Sequence, residues 1–147
     1  MPHPFALTDA AADTLRPALR LERFFPQGLD AETVRRFFPR SGLYLYDADE
    51  FVISQGEESK DLFVVSAGSV TVTKTLGTAG VNLATMGPGS LFGEIALIRD
   101  GVRVANVVAA EPSTIFRIAV ADVLNLVRQH PDLGRHLQEL ARQRAGG

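Results

Sequence analysis

The sequence predicts an α+β protein, mainly β, in which an antiparallel jelly-roll barrel sits between N-terminal and C-terminal helices. Two observations point there. From residue 43 the hydrophobic period changes from helical to strand-like and returns to helical after residue 118. Within that window, short runs of β-formers alternate with Gly, Pro and Asp clusters at nearly even spacing, the pattern of a small antiparallel barrel.

The elements follow in order. Residues 1–42 read as helical. Leu15, Ala18, Leu19 and Leu21 keep close to helical period between Ala10 and Phe24, with a break or a helix start expected near Pro17. Asp30 suits the N-cap of a short helix from Ala31 to Phe38, which Pro39 ends. Residues 43–119 form the β core. Its strand candidates are 43–46, 51–53, 62–65, 70–73, 81–84, 104–108 and 114–118, parted by turns such as Gln55-Gly56-Glu57 and Gly87-Pro88-Gly89. Residues 120–147 return to helix. Val123, Leu124 and Val127 share one face, and Pro131 opens a second helix striped with Leu133, Leu137, Leu140 and Ala141.

Composition excludes several function classes. The 147 residues carry a net charge of −2 and contain no cysteine. Nothing therefore favours a nucleic-acid or acidic-membrane surface, and disulfides, Cys nucleophiles and thiolate metal sites are ruled out. No basic block stands out: residues 1–42 carry six basic and five acidic groups, 43–119 five and nine, 120–147 four and three. The opening MPHPFALTDA lacks the features of a signal peptide, and no apolar run is long enough to span a bilayer. The expected location is the cytoplasm. The three histidines, His3, His130 and His136, fall outside the expected β core, and His130 and His136 read as solvated. A metal site inside the barrel, which would need histidines there, and a serine triad are both disfavoured. No enzyme activity is expected.

One stretch does not fit plain core or plain turn: LFGEIALIRDGVRVANV, residues 91–107. Gly93 admits close backbone approach. The residues from Glu94 to Leu97 can form one helical turn, whose free N–H groups suit a phosphate oxygen. Glu94 would repel a phosphate but can accept a hydrogen bond from a hydroxyl, and Ala96 leaves room. Arg103 offers a planar fork of donors among apolar neighbours, where it needs an anionic partner. A sugar phosphate satisfies all of these. An ordinary turn, with a surface Glu94 and an Arg103 paired to it internally, satisfies them too.

At this point the sequence closely resembles the cyclic nucleotide-binding domain family, over roughly residues 20–143. The family's phosphate-binding cassette is matched by Phe92-Gly93-Glu94-Ile95-Ala96-Leu97, a short loop, and Arg103-Val104-Ala105. The stretches 24–29, 55–57, 61–65, 68–70 and 86–90 resemble further landmarks of the family. The resemblance implies a ligand site at Gly93, Glu94, Ile95, Ala96, Arg103, Val104 and Ala105. Glu94 would meet the ribose 2′-hydroxyl and Arg103 the cyclic phosphate, with N–H groups around Gly93, Ala96 and Val104 completing the cradle. Many members place Ser or Thr after the cassette arginine. Val104 has no hydroxyl there, so cAMP is expected as ligand, with cGMP as the alternative. Asn106 is expected to point to solvent rather than to the base.

The implied function is a sensor that relays cyclic nucleotide binding through its terminal helices. The alternatives are the sensing part of a catabolite-activator-type regulator without its DNA-binding domain in this chain, or a degenerate, ligand-free domain. No recognition helix follows the helix at Pro131, so direct DNA binding by this chain is not expected. The leucine stripe after Pro131 suits a lid, a homodimer or effector seam, or packing against the barrel.

Overall fold

The structure, a computed structural model, describes residues 1–94 and 102–146. The N-terminal segment begins with a two-residue strand, β1 (His3–Pro4), and continues as α1 (Asp9–Asp13), α2 (Leu15–Ala18) and α3 (Ala31–Phe37). Thr8 caps α1 by accepting from the Ala11 N–H at 3.1 Å. Asp30 caps α3 by accepting from the Thr33 N–H at 2.8 Å, as its position before the helix predicts. The expected break near Pro17 falls earlier, at Thr14. Pro17 lies in the first turn of α2, where an N–H has no helical partner to lose.

Eight further strands follow: β2 (Gly42–Tyr46), β3 (Phe51–Ile53), β4 (Leu62–Ala67), β5 (Val70–Leu76), β6 (Ala79–Met86), β7 (Leu91–Phe92), β8 (Asn106–Ala109) and β9 (Ser113–Ile118). They form two antiparallel sheets, ordered β1-β2-β9-β4-β7 and β3-β8-β5-β6. The closed barrel expected from sequence is not formed among the described residues: no strand pairing joins the two sheets. Side-chain packing does that work instead. The helices α4 (Val120–Gln129) and α5 (Pro131–Gly146) complete the chain.

Two cores result, and β4 shows why its run reads as continuously apolar. Leu62 and Val64 enter a core shared with the helices, together with Leu15, Leu19, Val123, Leu126 and Leu137. Phe63 and Val65 point the other way, into the core between the sheets, with Tyr46, Ile53, Phe92, Val107 and Ile115. A strand covered on both faces needs no polar side. The same alternation splits β7: Leu91 faces the helices and Phe92 stacks on Phe63, with ring centroids 5.3 Å apart.

The C-terminal stripe resolves in favour of packing. Leu133, Leu137 and Leu140 are 4%, 2% and 3% exposed and lie in the helix-side core. In this conformation the stripe is covered by the chain itself, so it forms neither a lid nor an open dimer seam. Two of the histidines depart from expectation. His136 is not solvated: its Nε2 lies 2.9 Å from the Leu19 carbonyl and its ring packs on Phe24 at 5.1 Å. His130 is exposed, with its ring against Phe37 at 5.0 Å. His3 is exposed in β1, at the outer edge of a sheet rather than outside it.

Candidate functional site

The site is built where β7 leaves the sheet. The turn after Gly87 is closed by Gly89 N–H donating to the Val65 carbonyl at 2.8 Å and Val65 N–H donating to the Ser90 carbonyl at 3.0 Å. Leu91 and Phe92 then pair with Val64 and Phe63. The chain next turns sharply at Gly93, whose φ is +83°. A side chain there is strained by the backbone alone, and it has no room. A Cβ would lie 3.0 Å from the Asp61 carbonyl oxygen and 3.3 Å from an Arg103 terminal nitrogen. Gly93 therefore serves close approach, as expected.

Arg103 is brought to the same point from the other side. Its backbone is locked to the turn after β3 by two bonds: its N–H donates to the Glu57 carbonyl and Gly56 N–H donates to its own carbonyl, both at 2.8 Å. The expected strand over 104–108 starts only at Asn106, since the backbone pairing of Arg103 with this turn comes first. The guanidinium is buried, with 8% of the residue exposed. Its Nε donates to Ser59 Oγ at 2.9 Å, one terminal nitrogen to the Gly93 carbonyl at 3.0 Å and the other to the Asp61 carbonyl at 2.8 Å. These contacts use three of its five N–H groups and leave one on each terminal nitrogen.

All three partners are neutral. Among the described residues no carboxylate forms an ion pair with Arg103, so the expected alternative of an Arg103–Glu94 pair is not formed. The Glu57 carboxylate reaches it only through Ser59, whose hydroxyl lies 3.3 Å from Glu57 Oε1. Burial lowers the pKa of Arg103 below its ordinary value, while the carboxylates of Glu57, Asp61 and Glu94 act in the opposite direction. An arginine remains a cation regardless. Glu94 is the complementary anomaly. Its Oε2 is buried and has no hydrogen-bond partner. A buried acceptor left without a donor is costly, and such groups in native proteins call for an explanation.

The remaining candidates divide. Val104 is 56% exposed and Ala105 half-buried beside Arg103. Ile95 and Ala96 lie outside the described residues. Asn106 corrects its expected solvent role, because its Oδ1 accepts from the Gln55 N–H at 2.7 Å and so ties β8 to the turn after β3. Sequence reasoning missed Ser59 and the Asp61 carbonyl. Ser59 had only its place in a polar turn to mark it, and a main-chain carbonyl has no residue signature. Asp61 does more than hold Arg103. Its Oδ1 accepts from the first N–H of α4, at Val120, at 3.1 Å, and its Oδ2 lies 3.6 Å from Arg117 Nε. No group of three or more His, Cys, Asp or Glu able to hold a metal ion occurs among the described residues. None of the described helices is long and apolar enough to cross a membrane.

The end of β7 thus brings together Gly93, the buried Arg103 and the orphaned Oε2 of Glu94. Comparison with known proteins gives the family. The model of the cyclic nucleotide-binding domain matches residues 45–130. Over 101 residues the chain is 35% identical to the cyclic AMP receptor protein of Thermus thermophilus, covering 68% of this chain and 47% of that protein. It is 40% identical over 70 residues to cGMP-dependent protein kinase 2 of Homo sapiens, covering 45% of this chain and 9% of that one. The crystal structure of the Thermus thermophilus catabolite activator protein matches with a TM-score of 0.67 at 31% identity, over 88% of this chain and 58% of that chain. The chain belongs to the cyclic nucleotide-binding domain family. It spans about half the length of the Thermus relative and a small part of the kinase.

Proposed function

We propose that this domain is a cAMP sensor whose site is formed by Gly93, Glu94, Arg103 and the residues around them. In this reading Arg103 turns its two remaining N–H groups to the cyclic phosphate, and Glu94 accepts a hydrogen bond from the ribose 2′-hydroxyl. Gly93 leaves the space for the sugar phosphate to approach the backbone. The N–H groups of Ala96 and Val104 complete the cradle, and for Ala96, like the contact expected of Ile95, the reading rests on the family resemblance alone. The observation that supports it most is the pairing of opposite defects. Among the described residues a buried cation has no anion in contact, and beside it a buried carboxylate oxygen has no donor. One ligand remedies both.

The choice of cAMP rests on Val104, which offers no hydroxyl to a guanine or phosphate. Binding would be relayed to the terminal helices through Asp61, whose carbonyl holds Arg103 and whose carboxylate holds the first turn of α4. Calorimetric titration with cAMP and with cGMP tests the proposal. Saturable heat with cAMP, and weaker binding of cGMP, is expected; no heat at high micromolar cAMP with folded protein rejects it.

The Thermus match favours a second, compatible reading. The domain would be the sensing half of a transcription regulator whose DNA-binding domain lies outside this chain. A cAMP-dependent, salt-sensitive gel shift by this chain alone would contradict that division of labour.

A further inference from the structure

We infer that Arg144 is a positioning residue, coupling the C-terminal helix α5 to the ligand site through the carbonyl of Leu91. This rests on the reading of the Gly93–Arg103 region as a cyclic nucleotide site. Arg144 lies in the last turn of α5, yet its guanidinium donates to the Leu91 carbonyl at 3.0 Å, across 53 residues of sequence. Leu91 belongs to β7, the edge strand of the five-stranded sheet, which pairs only with β4. An edge strand has carbonyls with no sheet partner, and a buried one needs a donor from elsewhere. Arg144 supplies it.

Two residues further on, the Gly93 carbonyl accepts from Arg103. The three-residue stretch from Leu91 to Gly93 is therefore held at both ends by arginines. One belongs to the proposed phosphate site and the other to the C-terminal helix. That helix is itself fixed in place, by Leu137 and Leu140 in the helix-side core and by His136 at the Leu19 carbonyl. Arg144 thus fixes the backbone that sets the turn at Gly93 and the direction of Glu94. Coupling of this kind is reciprocal: what holds the site in its binding geometry is in turn held by the bound ligand.

The test compares Arg144→Ala and Arg144→Lys with wild type, using Arg142→Ala as control. Arg142 is an exposed neighbour on the same helix that pairs with Glu139. Amide exchange at Phe92 and Gly93 is measured without ligand, and cAMP affinity by calorimetry, with the melting temperature recorded for each variant. In Arg144→Ala, exchange about 5–10-fold faster and cAMP binding about 5–10-fold weaker are expected, the scale of one hydrogen bond. Arg144→Lys recovers most of both, and Arg142→Ala changes neither. Wild-type exchange and affinity in Arg144→Ala overturn the inference, as does tighter cAMP binding. If wild type binds no cAMP, the sensor reading fails, and the ligand-free exchange decides the role of Arg144 by itself.

Discussion

The helix-side core and the Gly93–Arg103 site lie on opposite faces of the same strands, and they are built on opposite rules. On the helix side the packing is apolar and its rare buried polar group is held by donors. Asp122, 2% exposed, accepts from the Arg40 N–H at 3.0 Å and from the Ser41 hydroxyl at 2.6 Å. Around Gly93 a buried carboxylate oxygen has no donor and, among the described residues, a buried guanidinium has neutral partners only. A region organised for stability satisfies its polar groups; one organised for a ligand leaves them to be satisfied. Substitutions on the two sides should therefore fail in different ways.

The largest effect is expected on the helix side. Leu137→Ala removes a side chain from a residue only 2% exposed. It should cost about 2–5 kcal/mol of stability in chemical unfolding, the range for such truncations. Gly134 gives a second handle there, because a Cβ would lie 2.4 Å from the Val127 backbone nitrogen. Gly134→Ala should push α5 off α4 at a cost of about 1–3 kcal/mol, read as a lower melting temperature. Beyond the fraction of folded protein, either change acts on affinity only through the placement of α5 and hence of Arg144.

At the site the order reverses. Arg103→Ala should weaken cAMP binding by about 2–4 kcal/mol, since a charge-assisted phosphate contact is lost. Glu94→Gln should weaken binding by about 1–2 kcal/mol while leaving the ligand-free melting temperature equal or higher, because an unpartnered buried charge is removed. A lower melting temperature would place Glu94 with the stability groups and break the contrast.

The smallest effect concerns Asp30, at the start of α3. Hydrogen bonds to Thr33, side chain first and backbone second, lower its pKa below the ordinary carboxylate value. A depressed folded-state pKa stabilises above the unfolded-state value and ceases to do so as pH falls through the folded one. Urea midpoints at neutral and acid pH should show a slight pH-dependent component that Asp30→Asn lacks, since asparagine still caps the helix but does not titrate.

The contrast also explains how much was legible in the sequence. The change of period at residues 43 and 118 marked the β region, and the run at 62–65 marked a strand, whereas its burial on both faces shows only in the structure. The meeting of Gly93 with Arg103 was foreseeable because both residue types have a restricted chemistry. The two-sheet arrangement was not, because strand alternation fixes which side chains share a face and leaves sheet closure open. The start of β8 was missed because Val104 is a good β-former whose neighbour Arg103 pairs with a distant turn. Asn106 and Arg144 were illegible for a common reason, since each bonds to a backbone group far along the chain, and Ser59 because its partner is a side chain 44 residues away.

The most direct measurement is calorimetric titration of cAMP into wild type and Arg103→Ala, with both shown to be folded at the titration temperature. Saturable binding to wild type and a loss of about 2–4 kcal/mol in the variant are expected. Equal affinity in the two proteins, or no binding to folded wild type, would contradict the assignment of the buried arginine to a ligand phosphate.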